Sequence, residues 1–373
     1  MDAPAHVEAP AAHNRHYGGF APIRLVAALG VVYAHSYDLT GNRRHKPTFS
    51  IGHQEIRLGR IGVDIFFVIS GFLIATSWQR SQSARDYAVK RFARVWPALT
   101  CVVLLSVVVI GPIATELTVA QYFGRGATFD YAWHNLTMFF GIRHDLPGVF
   151  SSAAQGSVNG SLWTLPYELW GYVVIALLGT IRQLRQGPLL YGLLATTLGL
   201  FQLSYNGTIM LDSRVFGMSG RDGVELAAMF LFGAVLSRWS DRLNLRHLFA
   251  SGVLLIFAAF VIGTPTPYLV GLGCAVIGAG GLHGSAIQTL DRLGDPSYGI
   301  YLFSYPIQQI LYIYNVARSP AAMVLWSFGL AVAVGYCSWH AIEQPGLRLI
   351  TRHARRSGSA SALASASRRA TAR

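Results

Sequence analysis

Apolar residues in this chain fall in long unbroken runs. They show neither the alternation of a half-buried strand nor the narrow stripe of a surface helix. Runs at 102–113, 248–262 and 323–337 are each extended by small or weakly polar neighbours toward the ~20 residues that cross a bilayer. Ten such segments are legible, at 20–37, 60–79, 96–114, 161–180, 188–205, 221–237, 247–263, 267–284, 296–314 and 321–342. They predict an all-α polytopic integral membrane protein with about ten transmembrane helices, its two termini on one side. The stretch 115–160 holds no clear span. Within it, 131–141 is apolar and aromatic but too short to cross, which predicts an interfacial or re-entrant helix in a lid or acceptor platform. Residues 1–18 are Ala/His/Pro-rich without a signal-peptide core, and read as a disordered cytoplasmic tail. Residues 19–347 read as the membrane domain, and the Ser/Ala/Arg-rich 348–373 as a second, basic disordered tail.

Composition sharpens this reading. Of 373 residues, 52% are hydrophobic and 13% charged, where soluble domains carry about a quarter charged residues. The net charge of +13 is almost all arginine. Nucleic-acid binding is one source of such an excess. Retention of basic loops on the cytoplasmic face is the other, and the apolar content selects it. Arg15, Arg80, Arg85, Lys90, Arg91, Arg94, Arg182, Arg185, Arg238, Arg242, Arg246, Arg292 and the seven arginines from Arg348 onward share one side. Both termini are therefore assigned to the cytoplasm and the protein to the inner (plasma) membrane, with no nucleic-acid partner. The first outer loop breaks the rule with Arg43, Arg44, Lys46, Arg57 and Arg60, a hint that it meets something anionic or polar. Cys101, Cys274 and Cys337 each lie in an apolar run with no metal-ligand spacing, so they read as packing residues and no metal site is expected.

The charged residues inside the apolar runs carry the chemistry, because ionisable groups in membrane helices are costly and usually face a cavity or a site. Arg24 and His35 share one face of the first span, about 16 Å apart along its axis. The plain alternative is an arginine snorkelling to the headgroups and a satisfied interior histidine. Asp64, in the block Gly62–Ile74, is placed at the depth of His35 by antiparallel helices and would orient the imidazole. A helix-starting aspartate is its alternative. Arg91 and Arg94, three apart, could grip a diphosphate or simply anchor the helix. Glu168 follows Ser161-Leu162-Trp163, a helix start, and sits inside the membrane. Tyr298, Tyr301 and Tyr305 line one helix face, where packing is the commoner role. Glu343, before Gln344-Pro345, is placed to pair with a cytoplasmic arginine.

In order and spacing these blocks resemble the acyltransferase-3 family of integral membrane acyltransferases, which acylate bacterial surface and secreted carbohydrates and some antibiotics. The resemblance covers about 20–345. It implies about ten membrane helices, acetyl-CoA as usual donor, and functional roles for His35, Arg24, Arg91 and Arg94. Where the family commonly has histidine in the ninth span, this chain has Ser304. The extracytoplasmic hydrolase-like domain fused to some members is missing, so a stand-alone form is expected. The expected function is transfer of an acyl group, most simply acetyl, from acyl-CoA to a carbohydrate hydroxyl. His35 would be general base and Asp64 its orienting group. Arg24, Arg91 and Arg94 would hold the donor phosphates from the cytoplasmic side. Trp163, Glu168, Tyr298, Tyr301 and Glu343 would bind the acceptor or support the site. Acyl-CoA is a substrate here, with no bound cofactor expected; carbohydrate and lipid bilayer are the other partners. The rival is a transporter or flippase of a polysaccharide precursor, which shares the span count and buried charges but is disfavoured by the lack of an internal repeat.

Overall fold

A computed structural model describes residues 17–151, 153, 155–180, 187–215, 217–281 and 285–349, which leaves most of both expected tails and the end of the span at 267–284 outside the described residues. The chain begins with α1 (Phe20–Leu39), α2 (Leu58–Gln79) and α3 (Ala84–Leu105), which runs on through a π turn at Ser106–Ile110 into α4 (Gly111–Ala114). Two short helices follow, α5 (Val119–Phe123) and α6 (Gly126–Thr137). A 3-10 turn at Gly160–Thr164 leads into α7 (Leu165–Thr180), then α8 (Pro188–Tyr205), α9 (Gly220–Arg238), α10 (Leu245–Ile262) and α11 (Pro265–Gly280). The last elements are α12 (Ser285–Leu293), α13 (Ser297–Ile313) and α14 (Pro320–Ser338), with a second π turn at Trp339–Glu343.

Each expected span coincides with one of these helices. Six segments among the described residues are long and apolar enough to cross a membrane on that basis alone: Phe20–Leu39, Leu58–Gln79, Ala84–Ala114, Gly160–Thr180, Leu245–Ile262 and Pro320–Leu349. The others are marginal for visible reasons. Helices α11 and α13 have 16 and 17 residues, and α9 contains Arg221, Asp222, Glu225 and Arg238. The outward side of α10 is bare: Leu254, Phe257 and Val261 are 68%, 68% and 71% exposed, a surface suited to lipid rather than water.

The third span begins twelve residues before its expected start at 96. Ser83 caps it, its Oγ accepting from the Asp86 amide at 3.1 Å, and the charged turns through Arg94 are helical although no apolar window contains them. The stretch 115–160 also resolves. The end of α6 lies beside α3, where the Trp96 indole donates to the Leu136 carbonyl at 3.0 Å, roughly 27 Å along the helix from Ala114. The chain reverses at Met138 and Gly141, with φ of 60° and 84°. It returns extended, paired through Asn135 and Arg143 and a Thr115–Val149 bridge. The apolar segment therefore doubles back alongside α3. Two hairpins, β1 (Thr48–Ile51) with β2 (Gln54–Arg57) and β3 (Arg214–Val215) with β4 (Met218–Ser219), are the other β pairings among the described residues.

Helices α2 and α9 touch backbone to backbone. A Cβ on Gly71 would lie 1.8 Å from the Phe230 carbonyl oxygen, and one on Gly233 2.0 Å from that of Val68. Gly62 serves α1 in the same way, its added Cβ 2.6 Å from the Ala27 oxygen. Such contacts replace the hydrophobic drive that lipid removes. Gly71→Val is expected to separate the pair and cost roughly 1–3 kcal/mol or more, read as a lower midpoint of thermal unfolding in detergent; an unchanged midpoint would show that α9 can shift freely. Cys274 is buried and Cys101 half-buried, in line with packing roles, whereas Cys337 is exposed; none forms a disulfide.

Candidate active site

Helices α1 and α13 run in the same direction and step together between two cavities. Arg24 on α1 and Tyr298 on α13 line the first, a space of about 360 Å³. His35 on α1 and Tyr305 on α13 line the second, of about 530 Å³. Between the two, Thr164 Oγ1 and Tyr301 Oη are hydrogen-bonded at 2.7 Å, both residues buried. Tyr301 and Tyr305 are one helical turn apart, so the cavities are separated by about one layer of side chains.

The first, arginine cavity gathers all three arginines singled out in the sequence, although they come from α1 and α3. Their environments differ. Arg24 and Arg94 both donate to Oδ2 of Asp295, Arg94 at 3.1 Å. Arg94 also donates to Glu343 at 2.9 Å, whose other oxygen accepts from Ser338 at 3.0 Å. Burial opposes ionisation of Asp295, but the Arg24 and Arg94 guanidiniums and Ser297 outweigh it and hold the carboxyl below the ordinary aspartate range. Arg91 has no carboxylate within ion-pair distance among the described residues. It donates to Ser77 Oγ at 3.3 Å, and its Nε is buried without a hydrogen-bond partner. Glu168 enters the same cavity and accepts from Ser70 at 2.8 Å and Tyr172 at 2.6 Å. The remaining lining is largely apolar, from α2 above all. This space can hold an anion at one end and an apolar or thioester-bearing arm along the rest.

The second, histidine cavity is polar. The His35 ring packs edge-on against Tyr305, centroids 5.0 Å apart. Its Nδ1 lies 3.7 Å from Asp38 Oδ2, close enough for charge attraction though long for a hydrogen bond. Asp38 in turn holds Lys46 and, at 3.3 Å, Arg43. Arg57 and His144 complete the rim. Burial, reinforced by Arg214 and opposed by Asp145, keeps the His144 imidazole below the ordinary histidine range.

Two expected placements need correction. The carboxylate beside His35 is Asp38, one turn along the same helix, and not Asp64. Asp64 pairs instead with Arg60 at 3.5 Å, which also binds Asp222 and Glu225, each at 2.7 Å. The reason is rotation: Gly62 faces α1, and two residues later the helix has turned about 200°, toward α9. Trp163 is absent from the linings of both cavities and sits under Arg60, 5.9 Å from ring centroid to guanidinium. Tyr298, Tyr301 and Glu168 line the arginine cavity. The Tyr298 hydroxyl is spent on the Val95 carbonyl at 3.0 Å. Ser304 is fully buried and its hydroxyl has no hydrogen-bond partner among the described residues.

Sequence reasoning missed Asp38 and Asp295. Asp38 stands three residues after His35, a spacing that shares a helix face. Asp295 lies in a connection between α12 and α13, and only the tertiary fold brings it to Arg24 and Arg94.

The profile of a family described as an acyltransferase domain matches residues 22–340. An O-acetyl transferase of Shigella phage Sf6 is 27% identical over 89% of this chain and 96% of its own length. Nodulation protein 10 of Rhizobium leguminosarum bv. viciae is 27% identical over 90% of the chain and 95% of its own length. A peptidoglycan O-acetyltransferase of Listeria monocytogenes is 28% identical over 67% of the chain and 45% of its own length. No solved structure matches.

Proposed function

From the premise that this chain belongs to the acyltransferase-3 family and is a membrane acyltransferase, we propose that it moves an acetyl group from acetyl-CoA to a hydroxyl of a bacterial surface or secreted carbohydrate. Of the three relatives described above, two are named for O-acetyl transfer, one of them to peptidoglycan, which supports acetyl as the group and a sugar oxygen as its destination. The observation that carries the reading is the pair of cavities stacked along α1, arginines in one and His35 in the other. The arginine cavity opens to the cytoplasm, as the basic loops argue, and takes the CoA phosphates. The thioester is carried toward the Thr164–Tyr301 layer. The acceptor enters the histidine cavity from outside.

His35 is the general base. The acceptor oxygen attacks the thioester carbonyl carbon while His35 takes its proton; the carbon–sulfur bond then breaks and the CoA thiolate receives that proton, which returns the imidazole to neutrality. Asp38 steadies the imidazolium formed between those steps.

The reading is tested on membranes given radiolabelled acetyl-CoA and candidate glycans. Label that mild alkali releases as acetate supports the enzyme; glycan accumulation in vesicles without label supports a transporter instead. Arg91 is the clean probe of the donor end, because no carboxylate is stranded when it goes. Arg91→Ala is expected to raise the apparent KM for acetyl-CoA about tenfold or more, the scale of a lost charged hydrogen bond, with the amount of folded protein unchanged. An unchanged KM would return Arg91 to membrane anchoring.

A further inference from the structure

Basic residues on the non-cytoplasmic side of a membrane protein work against its insertion, and here they are concentrated at one place. The connection from Thr40 to Arg57 carries four bases, Arg43, Arg44, Lys46 and Arg57, and one acid, Glu55. The other connections on that side show no such excess: 115–160 has two bases and three acids, and 206–219 one of each. The structure brings three of those four bases, Arg43, Lys46 and Arg57, to the rim of the cavity that contains His35, where Asp38 is the one carboxylate in the lining. Lys46 is largely covered and held by Asp38. The Arg43 and Arg57 side chains are 64% and 59% exposed; Arg43 meets Asp38 through Nε alone, at 3.3 Å, and Arg57 meets Glu55 through one terminal nitrogen, which leaves each guanidinium further donors for a ligand in the opening. Glu55, the ion-pair partner of Arg57 at 3.4 Å, is itself exposed and does not line this cavity.

We propose that the acceptor is an anionic carbohydrate, with a carboxylate or phosphate group near the hydroxyl to be acylated, and that Arg57 and Arg43 bind that group at the mouth of the histidine cavity. The inference rests on the acyl-transfer reading above for the identity of the cavity. A neutral glycan would leave the two arginines solvated and their cost to membrane insertion without return. An anionic one gains planar paired donors matched to a carboxylate or phosphate and is drawn to the opening by the local positive field. Such rim contacts are screened by salt over about 10 Å at 0.1 M, which gives the experiment its signature.

The full chain in nanodiscs of neutral phosphatidylcholine is titrated with three oligosaccharides of equal length: a neutral glucan, an oligogalacturonate and a phosphorylated glucan. Tighter binding of either charged probe, weakening as salt rises and falling about fivefold in Arg57→Gln and in Arg43→Gln, is the expected result. The better of the two charged probes identifies the acid. Arg318→Gln, a change in a different connection, leaves the affinities as they were. Equal binding of all three probes, or charged-probe binding insensitive to salt and to both substitutions, overturns the proposal, as does the absence of charged-probe binding. A different failure marks the underlying reading: charged probes that bind as described but never acquire label from acetyl-CoA would leave anion recognition standing and remove acyl transfer.

Discussion

Acyl transfer is expected to fall by roughly 10²–10⁴-fold when His35 is replaced by alanine, the usual contribution of a positioned base to the reaction of an alcohol. His35 lies near the C-terminal end of α1, against Tyr305, in a polar cavity that reaches the surface. A sugar hydroxyl is a weak nucleophile at neutral pH, and imidazole is the side chain whose ordinary titration lies closest to that pH. Asp38→Asn is expected to give a smaller loss, because the base remains and only its charged partner goes. A purely structural role for His35 would lower the amount of folded protein without changing the pH profile of the survivors. The deciding measurement is therefore the rate per folded molecule across pH, for wild type, His35→Gln and Asp38→Asn. A His35→Ala variant that keeps near-normal turnover removes the base from this site.

The second large effect is on folding. Arg94→Ala is expected to destabilise the protein by about 3–5 kcal/mol, because it strands Glu343, 0% exposed, and weakens the hold on Asp295. Arg24 still reaches Asp295, so the damage concentrates on Glu343 and its remaining partner Ser338. Adding Glu343→Gln to Arg94→Ala should recover part of the loss, since a neutral amide is cheaper to leave unpaired than a carboxylate. Thermal unfolding in detergent of the two single variants and the double variant checks this; additive losses would show that the pair is not coupled. The contrast with Arg91 is instructive. Two arginines three residues apart look alike in the sequence, yet one is tied into the fold and the other is available to a ligand. A double Arg91/Arg94 substitution would mix the two effects.

The helices were legible because long apolar runs have no other stable form in a bilayer, where every backbone group must find its partner within the segment. What the runs could not convey was where charged helix continues beyond them. That is why α3 starts at Ala84 and not near 96. The grouping of Arg24, Arg91 and Arg94 was legible from residue type and depth. Side-chain position was less so: Gly59 meets Ala34 and Gly62 meets Ala27, so Asp64 lies nearer the level of Ala27 than of His35 and is also turned toward Arg60. Asp38 was within reach of a helical-spacing argument. Asp295 was not, because a carboxylate in a short polar connection carries no local sign of the two arginines that will claim it.

The doubled-back segment around α6 has a consequence for how the protein is made. Its return leg at 141–149 is not helical, and its backbone groups are satisfied by Asn135, Thr115 and the 157–158 turn. Presented alone to hydrocarbon, that stretch would expose bare amides and carbonyls. During biogenesis it is therefore expected to wait in the aqueous phase until α3 is in place, and then to dock against it as a late addition. Maturation of this enzyme would then be limited less by threading its spans through the translocon than by seating one short hook afterwards.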